Sequence, residues 1–243
     1  MRRSIIIAVV FFIFLAPATT FSQAKKEAWT IAAIPSSIRI DPVTNKVIED
    51  RFLSNKTVAS SVASRNWIYD GTKVKLSAAK GEYVSFQVLL TNRSATPLKG
   101  IAIDMSSFKK DDSVWDIEPE LFLEWSVEVK TPSTGYPKAT LGNGWYPDAL
   151  IPMQYIQQKP VTQSNGWVYP LQLPDFNNRI DKQISQIFWV DQYIPLDASP
   201  GTYTAEVEVT IDNIVKKIPV EINIWNFTVP NENNLKASLQ HEG

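Results

Sequence analysis

The chain has 243 residues, a formal net charge of −1 and no cysteine. Disulfide bonds and thiolate chemistry are therefore excluded, and the mixed charge gives no reason to expect binding to nucleic acid or to an anionic membrane. Aromatic residues are plentiful and prolines outnumber glycines, 16 to 9, which is typical of a strand-rich domain with proline-containing loops.

The first residues have the order of a secretory signal peptide. A basic start at residues 1–3 precedes the apolar run Ile5–Leu15, and small residues follow. A membrane anchor is the alternative, but the run is too short to cross a bilayer comfortably. We therefore expect residues 1–22 to be removed, leaving a secreted or periplasmic protein without stable membrane insertion. No cysteine lies near the cut, so no lipid anchor is expected.

The next part of the chain contains several segments with strand patterns. Apolar and polar residues alternate most clearly in Tyr83–Thr91, where Val84, Phe86, Val88 and Leu90 form the apolar set. Because side chains alternate across a strand, such a pattern predicts one buried and one polar face. The other strands predicted in this part are 74–79, 101–105 and 121–129; in the last of these, Glu124 belongs to the polar set.

Residues 131–180 interrupt this rhythm. They are rich in proline, glycine, asparagine and aromatic residues, and predict a long loop without regular structure. Strand patterns resume at Gln186. Loops of this length inside a domain are usually functional or needed for packing.

The clearest pattern lies in residues 187–230. Two alternating segments flank Asp212-Asn213, which predicts a β-hairpin because both residues tolerate a positive φ. Pro219 indicates an edge or a bulge. A strand at 188–194 precedes this hairpin, so three consecutive antiparallel strands are expected. At Ile224/Trp225 the apolar set changes phase, which indicates a bulge or the end of pairing.

These segments together predict an all-β fold, an antiparallel β-sandwich with immunoglobulin-like or jelly-roll-like connections. About eight to ten strands are expected and no amphipathic helix. The predicted organisation is a signal peptide at 1–22, a single sandwich domain at 23–230, and a linker with the start of a further domain at 231–243.

Four motifs resemble the N-terminal β-sandwich domain of proteins similar to glycoside hydrolase family 123. They occur in that family's order and extend over most of residues 75–235. The motifs are EYVSFQ at 82–87, YPDALIP at 146–152, the block from Trp189 to Tyr203, and WNFTVP at 225–230.

The resemblance implies a secreted glycoside hydrolase-like protein. In that family, a larger barrel domain hydrolyses N-acetylgalactosamine-type glycosides with an Asp-Glu pair that assists the substrate's acetamido group. Nothing in this sequence corresponds to that barrel, so no catalytic residue is carried over. The resemblance implies a non-catalytic accessory domain whose partner is a catalytic barrel missing from this sequence.

The sequence itself offers no catalytic or metal-binding constellation. A glycosidase needs two carboxylates facing across a cleft, but the nearby acid pairs fall in turns or on polar strand faces. His241 is the one histidine, and a lone histidine builds neither a triad nor a metal site. No cofactor and no metal are expected. The acid pairs are Asp111/Asp112, Glu118/Glu120 and Glu206/Glu208.

The aromatic residues of the 131–180 segment are the candidate carbohydrate-binding residues. Flat rings beside amide and carboxylate groups suit sugars, whose apolar faces stack while their hydroxyls hydrogen-bond. The competing interpretation, which we favour, is that these rings pack against the sandwich or the barrel. The candidates are Trp145, Tyr146, Asp148, Trp167 and Tyr169, and Trp225 and Phe227 are the predicted interdomain residues.

Three functions remain open at this point. The first is the accessory domain of a glycoside hydrolase-like protein. The second is a stand-alone carbohydrate-binding module that uses the aromatic-rich segment 131–180. The third is a periplasmic adhesive or chaperone-like domain, which the fold class permits.

Overall fold

The computed structural model describes residues 27–49, 59–131, 141–156 and 171–230. Two β-sheets pack face to face in this part of the chain, and strands are numbered here in chain order. The first sheet has five strands in the order β1-β3-β11-β8-β9. Their bounds are β1 Trp29–Pro35, β3 Tyr83–Asn92, β8 Glu120–Val129, β9 Gly144–Pro152 and β11 Ser185–Tyr193.

The second sheet follows the order β2-β13-β12-β6-β7, and β5 also pairs with β12. All its pairs are antiparallel except β2 with β13, which is parallel. Its strands are β2 Val74–Lys80, β5 Ala102–Met105, β6 Lys109–Lys110, β7 Ser113–Val114, β12 Gly201–Ile211 and β13 Ile214–Thr228. A small ribbon of β4 (Leu98–Lys99) and β10 (Gln172–Leu173) stands apart, with helix α1 (Ala59–Ser64) and the 3₁₀ turn Met153–Tyr155.

The predicted all-β sandwich is confirmed. Its main core lies between the sheets and is formed by the apolar faces of both, including Phe86, Phe188 and Leu123 from the first and Val207 and Val220 from the second. Because the strands alternate, each sheet sends every second residue into this core. Among the described residues, no helix is long and apolar enough to cross a membrane.

The predicted hairpin is also confirmed. Asp212 and Asn213 have φ values of 48° and 63°, as a two-residue turn with left-handed central residues requires. Ile211 and Ile214 pair on either side of this turn. Pro219 lies one residue before the pairing of β13 with β2 begins at Val220. At Pro219, β13 pairs with β12 but not yet with β2. The missing N–H of Pro219 is therefore tolerated, because no hydrogen bond to β2 is needed there.

One connection differs from the sequence prediction. The strand before the hairpin, β11, belongs to the first sheet and pairs with β3 and β8 rather than with β12. The chain crosses between the sheets at residues 194–200, where Ala198 N–H donates to Pro195 C=O in a tight turn. Pro195 and Pro200 have no backbone N–H to donate to a neighbouring strand. Strand β11 therefore ends before them and does not continue into β12.

The outer face of the first sheet is partly covered by other segments of the protein. Ile34, Leu89 and Ile187 point to this side and form a second, smaller buried cluster. The residues that cover them come from the segment after β1 and from α1, namely Ile40, Val47 and Val62. The side chain of Gln87 fixes this cover, because its Nε2 donates to Pro35 O and Ile38 O.

Gly81 and Gly100 form a matched pair for testing the β2–β3 turn. Both have a positive φ, 82° and 61°, but a Cβ on Gly81 would lie 2.7 Å from Leu196 Cδ2, whereas a Cβ on Gly100 would meet nothing within 4 Å. We expect Gly100→Ala to lower the free energy of unfolding by about 1 kcal/mol through backbone strain alone. Gly81→Ala should lower it by a similar amount, because its Cβ would meet only the end of the Leu196 side chain, which is 44 % exposed and can turn away. Urea unfolding measures both, and a loss above about 3 kcal/mol for Gly81→Ala would contradict this and show that Leu196 is held in place.

Candidate functional site

The segment predicted as a loop without regular structure contains a strand. Gly144–Pro152 forms β9, the antiparallel edge strand beside β8. The sequence pattern is hidden by Pro147 and Pro152 and by a register shift between Trp125 and Ser126. At that shift Trp125 pairs with Ala149 and Ser126 with Pro147, so Asp148 is the extra residue of a bulge. Two prolines and a bulge are compatible with an edge strand, because an edge strand forms hydrogen bonds with a neighbouring strand on one side only.

The structure separates the two aromatic candidates on β9. Trp145 pairs with Glu128 and Tyr146 with Val127, so their side chains point to opposite faces of the sheet. The Tyr146 hydroxyl donates to the Gly142 carbonyl at 2.7 Å, which holds this ring close to its own loop. Both rings are partly exposed.

Asp148 is exposed at the bulge. Trp167 and Tyr169 lie outside the described residues. The carbohydrate-binding role of these five candidates therefore stays a prediction, and Trp145 and Tyr146 do not form one continuous surface.

The predicted change of phase near Trp225 is confirmed. The pairing of β13 with β12 ends at Ile224, opposite Gly201, and the register with β2 shifts between Ile224 and Thr228. Beyond this bulge the chain is still anchored, because Val229 N–H donates to Lys80 C=O at 2.8 Å.

Trp225 and Phe227 form an exposed aromatic stack on this last stretch. Their ring centroids are 5.7 Å apart and their planes differ by 15°. They are 47 % and 54 % exposed, and Val229, two residues further, is also exposed. We call Trp225, Phe227 and Val229 the exit surface. Large exposed apolar side chains that lie together are typical of an interaction surface.

The carboxylate pairs lie on the surface, as the sequence indicated. Asp111 sits at a φ of 52° in the turn between β6 and β7, and Glu118 and Glu120 are exposed. Glu206 and Glu208 both form ion pairs with Lys217, which raises the pKa of that lysine. Among the described residues, no group of three or more histidine, aspartate or glutamate side chains is placed to hold a metal ion. His241 lies outside them.

Glu124 is the residue that the sequence pattern misjudged. It lies on the outer face of β8, as predicted, but it is only 8 % exposed. The reason is the cover over this face: Ile40 and Pro42 from the segment after β1, together with Ser126 and Ser185, line a cavity of about 10 Å³ at its side. Ile184 N–H and Ser185 N–H donate to Pro42 C=O and hold the cover in place.

Burial raises the pKa of Glu124 to about 7, an effect that the positive charge of Arg39 partly opposes. The carboxyl group is therefore on the border between its neutral and charged forms at physiological pH. No local sequence signal identifies it, because Ile40 and Pro42, which cover Glu124, are more than 80 positions away in the chain.

No family model and no curated protein matches this chain. Among solved structures it is similar to a family 123 glycoside hydrolase from Clostridium perfringens studied for glycolipid glycan hydrolysis. The identity is 13 % and the TM-score 0.55, and the match covers 84 % of this chain and 28 % of that one. The chain thus spans little more than a quarter of that hydrolase.

Two further structures show weaker similarity. One is AvmM, which catalyses macrocyclisation in alchivemycin A biosynthesis, at 11 % identity and a TM-score of 0.34, covering 69 % of this chain and 97 % of that one. The other is the CooA pilin subunit from enterotoxigenic Escherichia coli, at 7 % identity and a TM-score of 0.33, covering 83 % and 99 %. Neither supports a functional comparison at this TM-score, and the match to the hydrolase shows the fold alone.

Proposed function

We propose that this chain is the non-catalytic accessory β-sandwich of a secreted or periplasmic glycoside hydrolase-like protein, and that it supports a separate catalytic barrel. The observation that carries the proposal is the structural match to the family 123 glycoside hydrolase, which takes in most of this chain but only 28 % of the hydrolase. The order of the four sequence motifs points to the same family independently of the fold.

The exit surface supports a partner domain. Two stacked aromatic rings and a valine at alternate positions present a continuous apolar strip on the last described stretch of the chain. Exposed aromatic residues are the side chains that most often anchor protein interfaces. The strip lies just beyond the sandwich ladder, where the backbone is free of β12 but still bonded to β2. A domain docked there would be held at a defined position relative to both sheets.

The positions of the carboxylates favour an accessory role for this chain over a catalytic one. Among the described residues, the pairs Glu206/Glu208 and Asp111/Asp112 lie on a strand surface and in a turn, not across a cleft as two glycosidase carboxylates must. Glycosidic bond cleavage would then depend on the partner. The purified chain should show no hydrolysis of aryl N-acetylgalactosaminides. Hydrolysis by the chain alone that a single carboxylate-to-amide substitution abolishes would overturn the proposal.

Replacing Trp225 and Phe227 together by alanine tests the exit surface. The partner in this experiment is a family 123-type catalytic barrel encoded in the same genome, and its affinity for the chain is measured by calorimetry. We expect the double variant to bind at least tenfold more weakly, because truncating an anchoring aromatic residue typically costs about 2 kcal/mol or more.

Trp67→Ala is the matched control, since Trp67 is even more exposed than Trp225 and Phe227 but lies in the loop before β2. Its affinity for the barrel should equal that of the wild type. Undiminished binding by the double variant, or no binding by the wild-type chain, would contradict the proposed partnership.

A further inference from the structure

Among the residues that the structure describes, none covers one end of the outer face of the first sheet. Cover from residues 36–49 and from α1 reaches Leu89 and Ile187, but towards the other end of the same strands the side chains become partly or fully exposed. Six residues on this face form what we call the outer-face patch. They are Tyr83 and Ser85 on β3, Trp189, Asp191 and Tyr193 on β11, and Phe122 on β8.

Cross-strand pairing arranges the patch in three rows. Trp189 pairs with Phe122 in the first row, and Tyr193 pairs with Tyr83 in the third. The two tyrosine rings lie 5.1 Å apart, and Tyr83 is 62 % exposed. At about 3.3 Å per residue, the two aromatic rows are roughly 13 Å apart along the strand. An oligosaccharide spans that distance, whereas a single sugar ring does not.

The middle row is polar and fixed in position. Asp191 pairs with Ser85, and its Oδ1 accepts hydrogen bonds from Ser85 Oγ at 2.5 Å and from Trp189 Nε1 at 2.6 Å. Both bonds are made to Oδ1, so Oδ2 has no hydrogen-bond partner among the described residues and is free to accept one. Glu120, which pairs with Asp191 from the other side, is exposed and adds a second carboxylate.

This combination suits a neutral saccharide. The apolar face of a pyranose ring packs on aromatic side chains, and its hydroxyl groups donate to carboxylates. Within the described residues, neither Asp191 nor Glu120 takes part in an ion pair, so the middle row carries uncompensated negative charge. Uronic acids, sulfated sugars and phosphates would be repelled by it. The patch is also a flat sheet face rather than a closed cavity, which fits a chain-like ligand.

We propose that the outer-face patch binds a neutral oligosaccharide, with the aromatic rows stacking on sugar rings and Asp191 accepting a hydroxyl hydrogen bond between them. This site differs from the carbohydrate candidates of segment 131–180, and it lies on the other sheet from the exit surface. The proposal does not depend on a catalytic partner, because the chain alone would bind the sugar.

Calorimetric titration of the purified chain tests the site. The neutral probes are the hexasaccharides of chitin, cellulose and β-mannan, and the acidic probe is hexagalacturonate. At least one neutral probe should bind, and hexagalacturonate should bind at least tenfold more weakly than that probe. No binding of any neutral probe at millimolar concentration would overturn the proposal.

Tyr83→Ala and Trp189→Ala should each weaken binding of the neutral probe at least tenfold. Tyr83 is largely exposed, so its variant should keep the wild-type melting temperature and remains informative if Trp189→Ala folds poorly. Trp67→Ala, an exposed tryptophan away from the patch, should bind as the wild type does. Unchanged affinity in Tyr83→Ala would overturn the assignment.

Glu120→Gln supplies a readout that folding alone does not affect. Removing one exposed carboxylate should raise the affinity for hexagalacturonate at least threefold, with little change for the neutral probe. If the Trp225→Ala/Phe227→Ala variant loses sugar binding while Tyr83→Ala keeps it, the sugar site lies at the exit surface and the proposal fails. If the wild-type chain binds a neutral probe but does not bind the barrel, only the proposed function is contradicted and the outer-face patch stands.

Discussion

A Glu124→Gln variant is expected to be about 3 kcal/mol more stable than the wild type at pH 8 and about equally stable at pH 4. The pKa of Glu124 is about 7 in the folded chain, against 4.5 for a glutamate exposed to water. The folded state therefore holds the proton more tightly than the unfolded state. Below about pH 4.5 the carboxyl group is neutral in both states and costs nothing. As the pH rises from about 4.5 to about 7, the unfolded state ionises first, and wild-type stability falls.

Urea unfolding at pH 4, 6 and 8 measures this effect. Glu128→Gln is the matched control, because Glu128 lies four residues further on the same face of β8 but is exposed and paired with Lys130. Its stability should follow the wild type within about 0.5 kcal/mol at each pH. If both variants show the same pH dependence as the wild type, Glu124 is not desolvated in the folded chain.

Phe188→Ala is expected to lower the free energy of unfolding by about 4 kcal/mol. Phe188 lies in the middle of β11, between Val88 on β3 and Leu123 on β8, and it is 0 % exposed. Alanine would remove the ring and leave a cavity between the two sheets. The chain has no cysteine, so the core is not reinforced by disulfide bonds, and a loss of this size is a large fraction of the stability of a typical domain.

Phe176→Ala is the control for this change, since Phe176 is the same residue type in an exposed loop. Its free energy of unfolding should stay within about 0.5 kcal/mol of the wild type. The denaturant slope should be unchanged in both variants if the folded state stays intact. A loss below 1 kcal/mol for Phe188→Ala would mean that the two sheets do not pack as described.

The two proposed surfaces belong to different sheets and are tested independently. The exit surface ends β13 of the second sheet, and the outer-face patch spans β3, β11 and β8 of the first. An accessory domain that held a sugar chain on one sheet and a catalytic barrel by the other would bring substrate near the barrel. Variants of Trp225 and of Tyr83 separate these two roles.

Local sequence patterns located most of the strands, because the alternation of apolar and polar residues along a strand involves only neighbouring positions in the chain. The set Val84, Phe86, Val88 and Leu90 identified β3, and Asp212-Asn213 identified the hairpin with both residues at positive φ. The phase change at Trp225 marked the end of the β12–β13 ladder. Strand β9 was missed because Pro147, Pro152 and a bulge at Asp148 remove the alternation that reveals an interior strand.

The sequence by itself determined the all-β sandwich and the strands that build it, since period-two burial and turn chemistry act between neighbours in the chain. Only the tertiary structure decided which sheet each strand joins, as the placement of β11 shows. It also decided that Glu124 is buried, and that Trp189, Asp191, Ser85 and Tyr83 share one face. These features depend on pairing between residues about 100 positions apart, and that pairing is set by how two whole sheets cover one core rather than by any local pattern.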